Sequence, residues 1–269
     1  MKKTGIMTDS HSGILQSEAD ELGIGVLPMP FYIDEKLYRE GVDISREEFY
    51  DRLRKGVDVS TSQPSPEEVM KMWDTMLEQY EELVYIPISS GLSGSCMTAQ
   101  AMAQDEPYAG KVFVVDNGRV STPMHRSVLD AVELADKGYS AEKIKKILED
   151  NRENMVIYVG LSTVSYLKKG GRISSVAAVA ADVLNIKPVM KFGVGKLDVY
   201  QKCRGIKNAR KAMIDAIKKE FATTFKDAYE AGKVYLMAAS SSTEEVTREW
   251  VAQIKENFPG LDVLSLIHI

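Results

Sequence analysis

Short apolar runs alternate with amphipathic segments along the chain. The runs at 3–8, 24–30, 83–88 and 112–115 have the length of buried strands. Segment 45–55 has acidic residues early and basic residues late, as the helix dipole favours, and further helices are predicted at about 123–137 and 140–152. Such alternation predicts an α/β fold with mostly parallel sheets.

The order of elements changes near residue 154. The pattern then predicts a strand at 155–161, helices at 162–169 and 174–184, a hairpin at 188–200, a helix at 206–221, a strand at 234–239, a helix at 243–257 and an apolar run at 261–269. We therefore predict two α/β domains, residues 1–154 and 155–269.

Composition narrows the class of protein. The 269 residues are 44% hydrophobic and 27% charged, which is typical of a globular protein and excludes disordered and collagen-like chains. The net charge of −5 argues against a nucleic acid partner, because phosphate binding needs a basic face. No apolar run approaches the ~20 residues that span a bilayer, so we expect no stable membrane insertion and a cytoplasmic location.

The most informative segment is Ser89-Ser90-Gly91-Leu92-Ser93-Gly94-Ser95, here called the 89–95 loop. It follows a predicted strand and precedes a predicted helix, where ligands of open α/β sheets bind. Free N–H groups and the positive end of the helix dipole suit an anion there, with Gly94 allowing close approach and Ser93 adding a hydroxyl. An ordinary capped loop is an equally good interpretation of this local pattern.

Familiar catalytic motifs are missing from the sequence. The 89–95 loop lacks the Lys of a P-loop, and Ser95 stands where a nucleophile elbow needs Gly. We interpret His125 and His11 as solvent-facing or capping residues. The two cysteines, Cys96 and Cys203, lie far apart, so we predict neither a disulfide framework nor a metal site, and no cofactor.

Thr61-Ser62-Gln63-Pro64-Ser65, the 61–65 loop, is a second candidate. Thr61 and Ser62 are able to hydrogen-bond an anion without neutralising it. Ser65 is better explained as an N-cap, with Pro66 at the first helical position and Glu68 completing a capping box.

Two basic segments complete the candidates. Gly170 and Gly171 precede Arg172, and Arg204 lies in a basic strand end before a helix. Each segment is either a solvated basic turn or a site where Arg172 and Arg204 receive a phosphate or an acidic partner surface.

The motifs Thr8-Asp9-Ser10, the 61–65 loop, Ile88 with the 89–95 loop, Val115-Asp116, and 167–173 occur in this order. Together they resemble the DegV family of bacterial fatty-acid-binding proteins over nearly the whole chain. The resemblance implies two α/β domains with a long-chain fatty acid between them. It also implies that Thr61, Ser62, Ser93 and Gly94 bind the carboxylate.

The resemblance further implies a partner. Family members serve a separate fatty acid kinase subunit that makes an acyl phosphate, which places them in phospholipid metabolism. The protein itself is then a carrier and not an enzyme. Arg172 and Arg204 are similar to the family's basic residues for phosphate or kinase contact. Apolar residues line the implied tunnel, with these candidates on the second domain's apolar helix: Ala177, Ala178, Val179, Ala181 and Val183.

One departure from the family concerns His268. Family members carry a His near the carboxylate in a Gly-Pro-rich segment, whereas His268 is followed only by Ile269. We therefore assign His268 no role and expect a shortened second domain. Two alternatives stay open: a hydrolase or acyl or phosphoryl transferase using Ser93, and a polyol- or sugar-phosphate binder.

Overall fold

The structure is a computed structural model that describes residues 2–172, 185–194 and 196–267. Contacts between Cα atoms divide the chain into two compact units, one reaching to Glu153 and the other covering Asn154–Leu266. The predicted helix at 174–184, with its tunnel candidates, and His268 lie outside the described residues. No helix among the residues described is long and apolar enough to cross a membrane.

The first unit is built on a parallel four-stranded sheet in the order β2-β1-β6-β7. Its strands are β1 (Lys2–Asp9), β2 (Gly25–Leu27), β6 (Tyr80–Ile86) and β7 (Val112–Val114). A short 3-10 helix, Ser10–Ser12, follows β1. The helices of this unit are α1 (Gln16–Leu22), α2 (Arg46–Arg54), α3 (Pro66–Leu77), α4 (Ser95–Met102), α5 (Ser121–Asp136) and α6 (Ala141–Asp150).

Alternation along the strands builds a core on each face of this sheet. Val84 and Ile86 of β6 pack with residues of α5 and α6, including Met124 and Ile144. Tyr85, which points to the other face, packs with residues of α3 and α4 such as Trp73 and Cys96. This three-layer arrangement brings the carboxyl ends of β1, β6 and β7 to one edge, which confirms the predicted α/β class.

A second, antiparallel sheet of the first unit was not predicted. It has the order β4-β3-β5, with β3 (Pro30–Ile33), β4 (Lys36–Arg39) and β5 (Val59–Thr61). Phe31 of β3 lies opposite Thr61 of β5 and packs against Tyr38 and Phe49. This pairing holds the start of the 61–65 loop.

The second unit contains a sheet in the order β10-β9-β8, from β8 (Ile157–Gly160), β9 (Ile186–Gly193) and β10 (Lys196–Arg204). Both pairings are antiparallel, and that of β9 with β10 confirms the hairpin predicted at 188–200. Its other elements are α7 (Ser165–Lys169), α8 (Ile206–Ala222), α9 (Lys226–Glu230), β11 (Leu236–Ser240), α10 (Glu244–Asn257) and β12 (Val263–Ile267).

Each face of the β8–β10 sheet packs against a helix. Val189 and Cys203 form a cluster with Ala209 and Ala212 of α8. Met190, whose side chain alternates with that of Val189, instead packs with Val164 and a rim of partly buried apolar residues: Leu161, Leu167, Leu197 and Val199. The second unit therefore presents an apolar cluster on the sheet face opposite α8.

Candidate functional site

The 61–65 loop and the 89–95 loop are in contact within the first unit. The Thr98 hydroxyl of α4 donates a hydrogen bond of 3.3 Å to Gln63 Oε1. The same Gln63 oxygen lies so close to Gly94 that a Cβ at residue 94 would stand 3.2 Å from it. Gln63 therefore joins the two loops at the beginning of α4, although the sequence analysis gave it no role.

The 61–65 loop is fixed mainly at its far end. The predicted capping box is confirmed, because the Ser65 hydroxyl accepts from the Glu68 N–H while Glu68 accepts from the Ser65 N–H. Arg39 of β4 donates to the same Glu68 carboxylate at 2.8 and 3.1 Å. Thr61 and Ser62 remain exposed at the end of β5.

The 89–95 loop is bonded almost throughout. Six of its seven backbone N–H groups have acceptors: Ser89 bonds the Arg119 carbonyl, Ser90 bonds Asp116 Oδ1, Gly91 bonds Ser89 Oγ, Leu92 and Ser93 bond the Ser89 carbonyl, and Ser95 bonds Ser93 Oγ. Across the described residues, Gly94 alone in this loop keeps an N–H without an acceptor. The N-cap position of α4, which is Gly94, also makes no side-chain capping bond.

Three of the four predicted carboxylate ligands offer an uncommitted donor. The Thr61 and Ser93 hydroxyls and the Gly94 N–H donate to no acceptor within the described part of the chain. The Ser62 hydroxyl instead donates to the Gln63 carbonyl at 3.0 Å. Their part in binding stays a prediction, but the loops supply neutral donors at a helix N-terminus, which suits an anion.

Two carboxylates lie just behind the 89–95 loop. Asp9 is fully buried at the end of β1, and its Oδ2 accepts the Ile88 N–H at 2.8 Å. Asp116 follows β7 and accepts both the Ser90 N–H, at 3.3 Å, and the Ser90 hydroxyl, at 2.6 Å. Both residues belong to motifs of the sequence, but their partners are distant along the chain, so the sequence pattern does not indicate what they bind.

The ionisable groups behind the loop do not provide an activated nucleophile. Burial, together with the negative charge of Asp116, raises the pKa of the Cys96 thiol to about 12, so this side chain stays protonated at neutral pH. Burial lowers the pKa of the Arg119 guanidinium, which donates to Ser127 Oγ and to the Asn151 carbonyl at the end of α6. No group of three metal-binding side chains occurs in the described ranges.

The histidine interpretation needs one correction. His125 is 2% exposed, and its Nε2 lies 3.0 Å from Glu18 Oε1, so it is neither solvent-facing nor a cap. Glu18 is on α1, and sequence patterns give no sign of this pairing. His11 does take part in a cap, because its N–H donates to Asp9, and its Nδ1 lies 3.0 Å from the same carboxylate oxygen.

The predicted basic residues belong to the second unit. Arg172 is exposed two residues after Gly170, which ends α7, and it contacts the Gly170 carbonyl. Arg204 is exposed at the end of β10, where its carbonyl accepts from Asn208. They lie on separate elements of this unit, and their role in phosphate or partner contact remains a prediction.

Comparison with known proteins identifies the family. The DegV family, described as uncharacterised proteins, matches residues 3–267. A DegV domain-containing protein of Caldanaerobacter subterraneus is 33% identical over 218 residues, covering 81% of this chain and 78% of that protein.

Two solved structures show the same fold. A DegV family protein from Thermus thermophilus, described by its fatty acid binding, has a TM-score of 0.82 at 29% identity and covers 99% of this chain and 92% of its own. A stearic acid-binding protein from Eubacterium ventriosum has a TM-score of 0.84 at 23% identity, with 97% and 89% covered. The order of motifs, the two α/β units and these matches lead to one conclusion: the chain belongs to the DegV family.

Proposed function

We propose that this protein binds a long-chain fatty acid in the bacterial cytoplasm and holds its carboxylate at the 61–65 and 89–95 loops. The observation that carries the proposal is a set of donors at adjoining loops that have no acceptor among the described residues: the Thr61 and Ser93 hydroxyls and the Gly94 N–H. The fatty acid binding described for the Thermus thermophilus relative supports the choice of ligand.

The chemistry of these donors suits a carrier. Hydroxyl and amide groups bond a carboxylate without a formal positive charge beside it, so the bound acid keeps its nucleophilic oxygen. Most of the affinity then comes from the tail, since ~15 methylenes gain about 12 kcal/mol in gross transfer free energy.

Mass spectrometry of the purified protein tests this proposal directly. Native spectra should show one bound species that is released by solvent extraction and has the mass of a long-chain fatty acid. A phosphorylated metabolite in its place would favour the sugar-phosphate alternative. An acyl group that survives denaturation on Ser93 would favour the enzyme alternative.

We further propose that the bound carboxylate is presented to a separate fatty acid kinase, with Arg172 and Arg204 contacting the phosphate or the kinase. Residues 154–269 contain 17 Lys and Arg against 11 Asp and Glu, whereas residues 1–153 contain 17 against 28. This excess of positive charge supports the second unit as the part that meets an anionic partner.

The variant Arg172→Ala distinguishes fatty acid binding from presentation to the kinase. The variant should retain fatty acid as the wild type does and should be phosphorylated more slowly by a fatty acid kinase. Loss of fatty acid from this variant would instead make Arg172 a carboxylate ligand. Lys233→Ala, which removes one positive charge elsewhere in the second unit, is the matched control.

A further inference from the structure

The two carboxylates behind the 89–95 loop come from the strands that flank β6. β6 lies between β1 and β7 in the sheet; Asp9 is the last residue of β1, and Asp116 lies two residues after the end of β7. Asp9 takes the Ile88 N–H on one side, and Asp116 takes the Ser90 N–H and hydroxyl on the other. The chain leaving β6 is therefore held from both sides.

From this arrangement we infer that Asp9 and Asp116 are positioning residues, which fix the 89–95 loop so that its remaining donors point to an anion. The inference rests on the proposed function for the identity of that anion, a fatty acid carboxylate. Neither residue is assigned a ligand contact of its own.

The backbone N–H groups at the end of β6 need acceptors. Ile88 and Ser89 are buried, and buried N–H groups are costly without acceptors. The Ser89 N–H bonds the Arg119 carbonyl, whereas the Ile88 and Ser90 N–H groups bond the carboxylates of Asp9 and Asp116. Carboxylates are stronger acceptors than carbonyls, so they hold these two N–H groups more firmly than a turn would. Asp116 is itself anchored, because its N–H donates to Glu149 and its Oδ1 accepts the Gly118 N–H.

Fixing the start of the 89–95 loop determines which of its N–H groups remain available to a ligand. With Ser89 and Ser90 held, the Ser89 carbonyl faces the N–H groups of Leu92 and Ser93, and Ser89 Oγ faces the Gly91 N–H. The N–H groups from Gly91 to Ser93 are thus all bonded to Ser89. The N–H of Gly94, the next residue, has no acceptor in the described part of the chain and lies at the start of α4.

Removal of a carboxylate changes the affinity for an anion in opposite directions, depending on how the carboxylate acts. A carboxylate near an anion site repels the anion if it acts only through its charge, so its removal should tighten binding. A carboxylate that fixes the donors has the opposite effect, because its removal loosens them. The sign of the change in affinity therefore distinguishes the two roles.

Variants of Asp116 provide the test, since Asp9 is fully buried and its replacement is more damaging to folding. Binding of oleic acid to the full chain should weaken about tenfold in Asp116→Ala and less in Asp116→Asn, which keeps one neutral acceptor. Ser90→Ala, which removes only the hydroxyl that bonds Asp116, should also weaken oleic acid binding. Asp150→Asn removes an equally negative but exposed side chain, paired with Lys146, and should bind as the wild type does.

Hydrogen–deuterium exchange supplies a second measurement that needs no ligand. Amides of residues 88–95 should exchange faster in Asp116→Ala than in the wild type or Asp150→Asn, with the rest of the sheet unchanged. Tighter oleic acid binding by Asp116→Asn, or unchanged exchange in residues 88–95 of a folded Asp116→Ala, would overturn the inference. A wild type that binds no oleic acid would contradict the proposed function, and the exchange result would still decide the role of Asp116.

Discussion

The 89–95 loop and the 61–65 loop meet at Gln63, yet they are held in different ways. The first is bonded to Asp116 and Arg119 at its beginning and to its own serines beyond that, which leaves one N–H without an acceptor among the described residues. The second is exposed and secured at Ser65, beyond its candidate donors. Rigid and adjustable donors are thus combined at one place, and we expect substitutions in the first loop to have the larger effects.

The largest effect is expected from Ser93→Ala. This change removes a hydroxyl donor to a charged ligand and the acceptor of the Ser95 N–H, so fatty acid retention should weaken by roughly 1–3 kcal/mol. Equilibrium binding of a long-chain fatty acid measures it. Unchanged retention would show that the rigid loop does not hold the carboxylate.

Gly94→Ala should have an intermediate effect, because the new Cβ would lie 3.2 Å from Gln63 Oε1 and would displace the side-chain oxygen that Thr98 bonds. We expect a loss of about 1 kcal/mol in binding. Gln63→Ala in the same chain should restore part of this loss by removing the crowding oxygen. If the two changes were additive, Gln63 would not couple the loops.

Loosening the 61–65 loop should have a smaller effect that depends on pH. Although partial burial opposes it, hydrogen bonds from Arg39 and Ser65 lower the pKa of Glu68 below its ordinary value. Glu68 therefore contributes stability above the unfolded-state pKa of ~4.3, and this contribution is lost as the pH falls through the lowered folded-state pKa.

Glu68→Gln should remove that acid-dependent part of the melting curve and change fatty acid affinity at neutral pH by less than about twofold, since exposed ion pairs contribute little. Thermal unfolding between pH 7 and 3 measures the first quantity. Glu67→Gln, at the exposed neighbouring glutamate in the first turn of α3, is the matched control. An equal change in both variants would exclude a specific role for the Glu68 cap.

The smallest effect is expected from Ser95→Ala. Ser95 is 5% exposed, and its hydroxyl has no hydrogen-bond partner in the described structure, so its removal should leave stability and binding nearly unchanged. Measured beside Ser93→Ala, it controls for the loss of a serine two residues away. A large loss of binding would show that Ser95 turns its hydroxyl toward the ligand.

Local signals in the sequence predicted the elements that local chemistry determines. Ser65, Pro66 and Glu68 define a helix start without reference to the rest of the chain, and that start is confirmed. The pairing of Phe31 with Thr61 was missed because β3 and β5 are four and three residues long and their contact joins distant segments. His125 was misinterpreted for the same reason, since its partner lies on another helix.

In the candidate site, too, the sequence indicated some features and not others. The order of the motifs pointed to the residues of both loops, and their contacts with a ligand stay a prediction. The sequence did not reveal that the Ser62 hydroxyl bonds Gln63, or that Asp9 and Asp116 hold the 89–95 loop. Such roles depend on the orientation of side chains and on partners up to 79 positions away.

The burial of both cysteines has a practical consequence. Cys96 and Cys203 are the chain's two thiols, both are 3% exposed or less, and burial raises the pKa of each. Thiol-reactive dyes will therefore leave the native chain almost unlabelled. Met97 is 62% exposed in the first turn of α4, so Met97→Cys would introduce a single reactive thiol. A fluorophore attached there would report the arrival and release of ligand in real time.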